Sequence, residues 1–180
     1  MEATGVLLLG GLSRRFGSVK ALASIGPETL AERGWRALGD AFPRRLAVGK
    51  DADQLGLPFP LLDDGIAVRA PIAGVIAGLR ESSTEVAVFL PVDCPLVSAE
   101  SLRALADACE QAAMPQTGPL PGAFAKSVLP VLERRLAAGD LALHDAAVEL
   151  EAKIVQIDPD ELTNVNTERE LERVRGRVTA

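Results

Sequence analysis

Short aliphatic runs alternate with stretches of helical periodicity along almost the whole chain, and this alternation restricts the fold more than anything else. Val6–Leu9, Arg45–Val48, Pro60–Leu62, Val86–Val92 and Ile154–Ile157 read as strands. Between them lie helical stretches: Leu30–Leu38, with Leu30, Gly34, Ala37 and Leu38 on one face, and Ala73–Leu79 after a Pro71–Gly74 turn. Ala99–Cys109, the set Val128, Leu129, Leu132 and Leu136, and a closing segment from Thr167 follow. Strand runs that are apolar throughout are buried on both faces, which belongs to parallel sheets covered by helices. Strand and helix in alternation give right-handed crossovers with helices on either side. The expectation is an α/β three-layer sandwich around a mostly parallel, Rossmann-like sheet. With 180 residues, one domain spanning 1–180 is favoured.

Aromatic residues make up only 3% against 48% hydrophobic, so Leu, Val, Ile and Ala must build the core. Val86–Val92 is the best candidate for a central strand. Ser98 can cap the helix after it, where Leu102, Leu105, Ala106 and Cys109 share a face, making Cys109 a core filler. Thr167 and Glu170 fit a capping box. Ala112–Gly122 holds three prolines and two glycines, which predicts an irregular hairpin.

Several functions are disfavoured at once. A net charge of −6 argues against a nucleic-acid binder. No apolar run approaches the roughly 20 residues of a membrane span, and Met1–Thr4 gives no basic leader. Cys94 and Cys109 form no CxxC, and His144, the sole histidine, sits on an expected helix, so Cys and His alone cannot assemble a zinc site. A soluble cytoplasmic protein is expected.

In sheets of this kind ligands sit beyond the carboxyl ends of the strands. Gly10-Gly11-Leu12-Ser13-Arg14-Arg15-Phe16-Gly17-Ser18-Val19-Lys20 directly follows the first strand. Paired glycines let backbone N–H groups approach phosphate oxygens, and Arg14, Arg15 and Lys20 supply three cations within seven residues. The same stretch would also serve as a tight corner with solvated arginines. No Gly-Lys-Ser/Thr and no GxGxxG is present, which excludes a P-loop and the dinucleotide fingerprint. Asp93 follows the central strand in Asp-Cys-Pro-Leu, where a carboxylate can hold Mg²⁺ or simply shape a turn before proline. Cys94 has no neighbouring histidine to activate it and reads as a small filler.

Leu8-Leu9-Gly10-Gly11-Leu12-Ser13-Arg14-Arg15-Phe16-Gly17 and Lys20 resemble the L-A-G-G-x-S-x-R-M-G-x-x-K signature of MobA-like nucleotidyltransferases, with Leu9 for Ala and Phe16 for Met. The likeness extends from roughly Gly5 to Leu171. It implies a sheet of the nucleotide-diphospho-sugar transferase type. It further implies that Leu8, Leu9, Gly10, Gly11 and Ser13 hold a guanine nucleotide, that Arg15 and Lys20 contact its phosphates, and that Asp93 carries Mg²⁺. Asp63, with Asp64 adjacent, matches a nucleotide-contacting aspartate, and Ala70–Gly74 resembles a G-P-L-A-G turn. Gly49 stands where the family often has asparagine. Gly118–Phe124 resembles the substrate-side segment. Leu162–Thr167 resembles F-x-N-V-N-T, so Asn164 and Asn166 would read phosphate or pterin groups or orient a metal ligand.

The implied activity is Mg²⁺-dependent transfer of GMP from GTP to the terminal phosphate of molybdopterin, with Arg15, Lys20 and Asp93 catalytic. The implied partners are GTP, molybdopterin (the molybdenum cofactor) and a protein that delivers it, with no nucleic acid and no membrane. A relative using CTP or a sugar phosphate, or a non-catalytic nucleotide-binding domain, are the alternatives.

Overall fold

A computed structural model describes residues 2–10, 20–50 and 56–178. The chain begins with β1 (Ala3–Leu9), a 3-10 turn over Lys20–Leu22 and a small ribbon of β2 (Ser24–Ile25) and β3 (Glu28–Thr29). Then come α1 (Leu30–Ala41), β4 (Arg44–Gly49), β5 (Leu61–Asp63), α2 (Pro71–Glu81) and β6 (Val86–Pro91). The second half holds α3 (Ala99–Ala108), β7 (Ala112–Pro115), β8 (Gly122–Ala125) and a 3-10 turn leading into α4 (Leu129–Ala137). It closes with α5 (Leu143–Glu149), β9 (Lys153–Val155) and α6 (Glu168–Val178). Seven strands form one sheet in the order β5-β4-β1-β6-β8-β7-β9. Within that sheet, among the described residues, only β8 runs antiparallel to its neighbours, β6 and β7.

β1 shows why the sheet has two covered faces. Its residues alternate sides with the period of two that a pleated strand imposes. Gly5 and Leu7 meet α1: a β-carbon on Gly5 would stand 2.9 Å from Leu38 Cδ2, and one on Gly34 would stand 2.7 Å from Leu7 Cδ1. Val6 and Leu8 meet α2, where β-carbons on Gly78 and Gly74 would each fall 2.9 Å from them. Gly34 and Gly78 therefore let the two helices close onto opposite faces of the same strand. Phe89 of β6 lies against Gly78 and stacks edge-on to Phe124 at 5.9 Å, and both rings are fully buried.

Local signals fix the helix ends. Thr29 and Glu32 form a capping box on α1, Ser98 Oγ accepts from Ser101 N–H on α3, and Thr167 and Glu170 cap α6 reciprocally. α3 stops at Ala108, leaving the buried Cys109 as its C-cap. His144 sits exposed on α5.

Three expectations need correction. Pro71–Gly74 is no turn before a helix but the first turn of α2, with Pro71 at a position that needs no N–H donor. Ala112–Gly122 is more regular than its prolines predict: β7 and β8 are strands of the main sheet, their Ala and Gly residues almost wholly buried. Burial between neighbours decides strand formation here over intrinsic propensity. The last strand ends at Val155; Ile157 instead exchanges two hydrogen bonds with the Gln116 amide, at 2.7 and 3.1 Å. No helix among the described residues is long and apolar enough to cross a membrane.

Candidate active site

The carboxyl ends of β5, β4, β1 and β6 open into one cavity of about 290 Å³. Leu8 and Leu9 line it from β1 with Gly10 just beyond, Val48 from β4 with Lys50 just beyond, and Asp64 from just past β5. Pro91 contributes from the end of β6 with Val92 and Asp93 just beyond, Ala70, Pro71 and Gly74 from the start of α2, and Lys20, Arg69 and Leu120 complete the lining. The amino-terminal end of α2 adds a positive dipole to the same space.

Two charged pairs face each other along the cavity. At the β1–β6 end, Lys20 Nζ lies 3.5 Å from Asp93 Oδ2 and 2.8 Å from Asn166 Oδ1. The parallel ladder continues one residue past β6, since Val92 N–H donates to Leu8 O at 3.0 Å, and this carries Asp93 to the rim. The segment after it is tied down on three sides. Asp93 O accepts Val165 N–H at 2.8 Å, Pro95 O accepts from Arg33 Nε at 2.7 Å, and Glu161 Oε2 accepts Ser98 N–H at 2.7 Å. At the β4–β5 end, Lys50 Nζ is 2.6 Å from Asp64 Oδ1 and also donates to Ile66 O.

Cys94 lies behind the site and donates its thiol proton to Asn164 Oδ1 at 2.9 Å. Burial, reinforced by the Asp93 carboxylate, pushes its thiol far above the ordinary range, so it stays protonated. Cys109 is pushed up to about 11 by burial. Neither is a nucleophile at neutral pH.

Of the residues singled out from sequence, Leu8, Leu9, Gly10, Lys20 and Asp93 line the cavity together. Gly11, Ser13 and Arg15 lie outside the described residues. Asp63 is exposed and its carboxylate accepts Gly65 N–H at 2.8 Å; it is Asp64 that faces the cavity. Asn164 and Asn166 are not among the lining residues, but each holds one that is or stands beside one: Asn166 takes Lys20, and Asn164 takes Cys94. Sequence reasoning passed over Lys50 and Arg69. Lys50 follows β4 directly, so the rule that singled out Asp93 after β6 applied to it as well.

The donors bear on Mg²⁺. Among the described residues no three His, Cys, Asp or Glu side chains cluster to form a cage. Mg²⁺ is commonly held by one or two carboxylates with substrate phosphates and water filling the remaining positions. Asp93, about a quarter exposed at the cavity rim, fits that shared mode.

Comparison with known proteins gives a concordant picture. Residues 5–151 match the family model described as MobA-like NTP transferase domain. A probable molybdenum cofactor guanylyltransferase of Flavobacterium johnsoniae is 27% identical, covering 93% of this chain and 94% of its own. The crystal structure of molybdopterin-guanine dinucleotide biosynthesis protein A from Archaeoglobus fulgidus superposes with a TM-score of 0.81 at 23% identity, covering 98% of both chains. A 2-C-methyl-D-erythritol 4-phosphate cytidylyltransferase of Thermus thermophilus shares the fold at a TM-score of 0.73 and 18% identity over the whole of both chains.

Proposed function

The chain belongs to the MobA-like NTP transferase family, and from that premise we propose that it transfers GMP from GTP to the terminal phosphate of molybdopterin. The observation that carries this is the meeting of Lys20 and Asp93, 73 positions apart in sequence, in one cavity beyond the sheet's carboxyl edge. The name shared by its relatives supports the choice of nucleotide and acceptor.

In the proposed reaction an oxygen of the molybdopterin phosphate attacks the α-phosphorus of GTP in line. A new P–O bond forms, the bond from the α-phosphorus to the bridging oxygen breaks, and pyrophosphate leaves with the electron pair. Phosphoryl chemistry of this kind depends on positioning and charge stabilisation, with little covalent work by side chains. Lys20 would place a cation against the phosphates, and Asn166 fixes its ammonium group. Asp93 would hold Mg²⁺, which would supply positive charge to offset that of the phosphates. The glycine backbone at Gly10 leaves room for close approach, and Gly11, Ser13 and Arg15 join the proposal from the sequence motif alone. One domain would carry the whole reaction, in the cytoplasm, where the two unpaired cysteines stay reduced. A protein that hands over molybdopterin is part of the same proposal.

A cytidylyl or sugar-phosphate relative has the same fold, and nucleotide preference separates the readings. With Mg²⁺ present, GTP at 100-fold above its Kd should raise Tm by about 5–10 °C, from roughly 2.7 kcal/mol of binding and about 2–4 °C per kcal/mol for a chain this size. CTP and ATP at equal concentration should do far less. Equal stabilisation by CTP would overturn the guanylyl assignment.

A further inference from the structure

The two capping boxes of this chain differ in reach. At α1, Glu32 Oε2 accepts only from Thr29, through its N–H and its hydroxyl, which is the ordinary extent of such a box. At α6 the corresponding carboxylate goes one residue further back. Glu170 Oε2 accepts Thr167 N–H at 2.9 Å and also Asn166 N–H at 2.7 Å. The reciprocal bond, from Glu170 N–H to Thr167 Oγ1, is 3.2 Å long. Starting the helix requires only the contacts with Thr167. The contact with Asn166 fastens a residue outside the helix. Asn166 N–H is also the largest influence holding the Glu170 carboxyl below the usual carboxylate range, so the acceptor is ionised at neutral pH and the bond is charge-assisted.

Asn166 is the residue that holds Lys20. Asn166 is itself exposed, so packing does not fix its amide. Its backbone is fixed instead from both sides. Val165 before it is fully buried and donates its N–H to Asp93 O, and Glu170 after it takes its own N–H. The Lys20 ammonium has three protons and is only 15% exposed. It meets Asn166 Oδ1 at 2.8 Å but Asp93 Oδ2 at 3.5 Å. The neutral amide thus keeps the cation from closing onto the carboxylate. Released from it, opposite charges at this distance would draw together. A tight Lys20–Asp93 pair would cancel the charges that phosphates and Mg²⁺ need. The same helix also tethers the ribbon that follows Lys20, because Arg175 Nε donates to Ser24 O at 2.9 Å.

Resting on the guanylyl-transfer reading, we propose that Glu170 is a positioning residue for Lys20. Through Asn166 N–H it sets the amide that holds the ammonium apart from Asp93 and available to the nucleotide phosphates. Glu170 touches no substrate atom. It carries a task that Thr167, the other half of the same capping box, does not.

The test sets those two halves against each other. Glu170→Ala and Thr167→Val each remove a capping interaction, so each should lower Tm by about 1–8 °C. Only Glu170→Ala should also lower kcat/KM for GTP, by about 10- to 100-fold, the scale of a catalytic group displaced by about 1 Å. Glu170→Gln, which keeps the acceptor, should recover most of that rate. The loss should vanish where Lys20 is absent: in a Lys20→Ala background, adding Glu170→Ala should change kcat/KM by less than about twofold. An unchanged rate in Glu170→Ala, equal losses in Glu170→Ala and Thr167→Val, or a full further loss on top of Lys20→Ala would each overturn the proposal while leaving guanylyl transfer standing. Wild type that releases no pyrophosphate from GTP and molybdopterin would remove guanylyl transfer itself, and the role of Glu170 with it. Should Glu170→Ala not fold, Thr167→Val decides: a wild-type rate supports the separate task of Glu170, and a loss of about tenfold, on the scale expected of Glu170→Ala, overturns it.

Discussion

Asp93→Ala is expected to lower the rate of pyrophosphate release by about a hundred- to a thousandfold, the usual effect of removing one preorganised electrostatic group. The protein should nevertheless remain folded. Asp93 reaches the cavity rim at 28% exposure, so its truncation opens no hole in the core. Its backbone carbonyl still accepts Val165 N–H, and Lys20 still has Asn166. Substitutions at such positions typically change stability by about 0.5 kcal/mol or less. Lys20→Ala should behave in parallel, losing rate without losing structure, because the ammonium acts through charge on the phosphates. Rate assays paired with thermal denaturation separate the possibilities. Near wild-type turnover in either variant would contradict the assignment, and so would a loss of rate explained by unfolding.

The second large effect belongs to Gly122→Ala. Gly122 opens β8, pairing with Phe89 of β6, and its β-carbon would stand 2.1 Å from the Pro119 carbonyl oxygen and 3.2 Å from that of Ala113. Both obstacles are backbone, so no side-chain rotation relieves them. Overpacking that moves backbone costs about 1–3 kcal/mol, a Tm loss of roughly 2–12 °C. The shift falls on Pro119 and its neighbour Leu120, a cavity-lining residue just before β8, which lies across β1 and β6 from the β4 and β5 ends that carry Lys50 and Asp64. The variant should therefore lose acceptor KM more than GTP affinity. A Gly122→Ala protein as stable as wild type would show that the loop accommodates the methyl group.

Much of the scaffold was legible because its signals are local. The apolar runs of β1 and β6 and the caps at Ser98 and Thr167 each announce themselves within a few residues. β7 and β8 did not, because Ala-Ala-Met-Pro and Gly-Ala-Phe-Ala become strands only through the buried neighbours β6 and β9 provide. The choice between Asp63 and Asp64 was invisible for a related reason. β5 is three residues long, too short to reveal which side chain turns inward, and its pairing of Asp63 with Gly49 leaves Asp64 as the first residue past the edge. Asn166 was expected to read phosphate or pterin groups or to orient a metal ligand; its hydrogen bond from Lys20, 146 positions away, had no sign in the sequence. Contacts of that range are set by the sheet's topology, and no local pattern in sequence encodes them.

Pyrophosphate release from purified protein given Mg²⁺, GTP and molybdopterin addresses the shared cavity of Lys20 and Asp93 most directly. One pyrophosphate should appear for each guanine dinucleotide formed, with little release when molybdopterin is left out or CTP replaces GTP. Absence of pyrophosphate with the complete mixture, or equal release with CTP, would contradict the account.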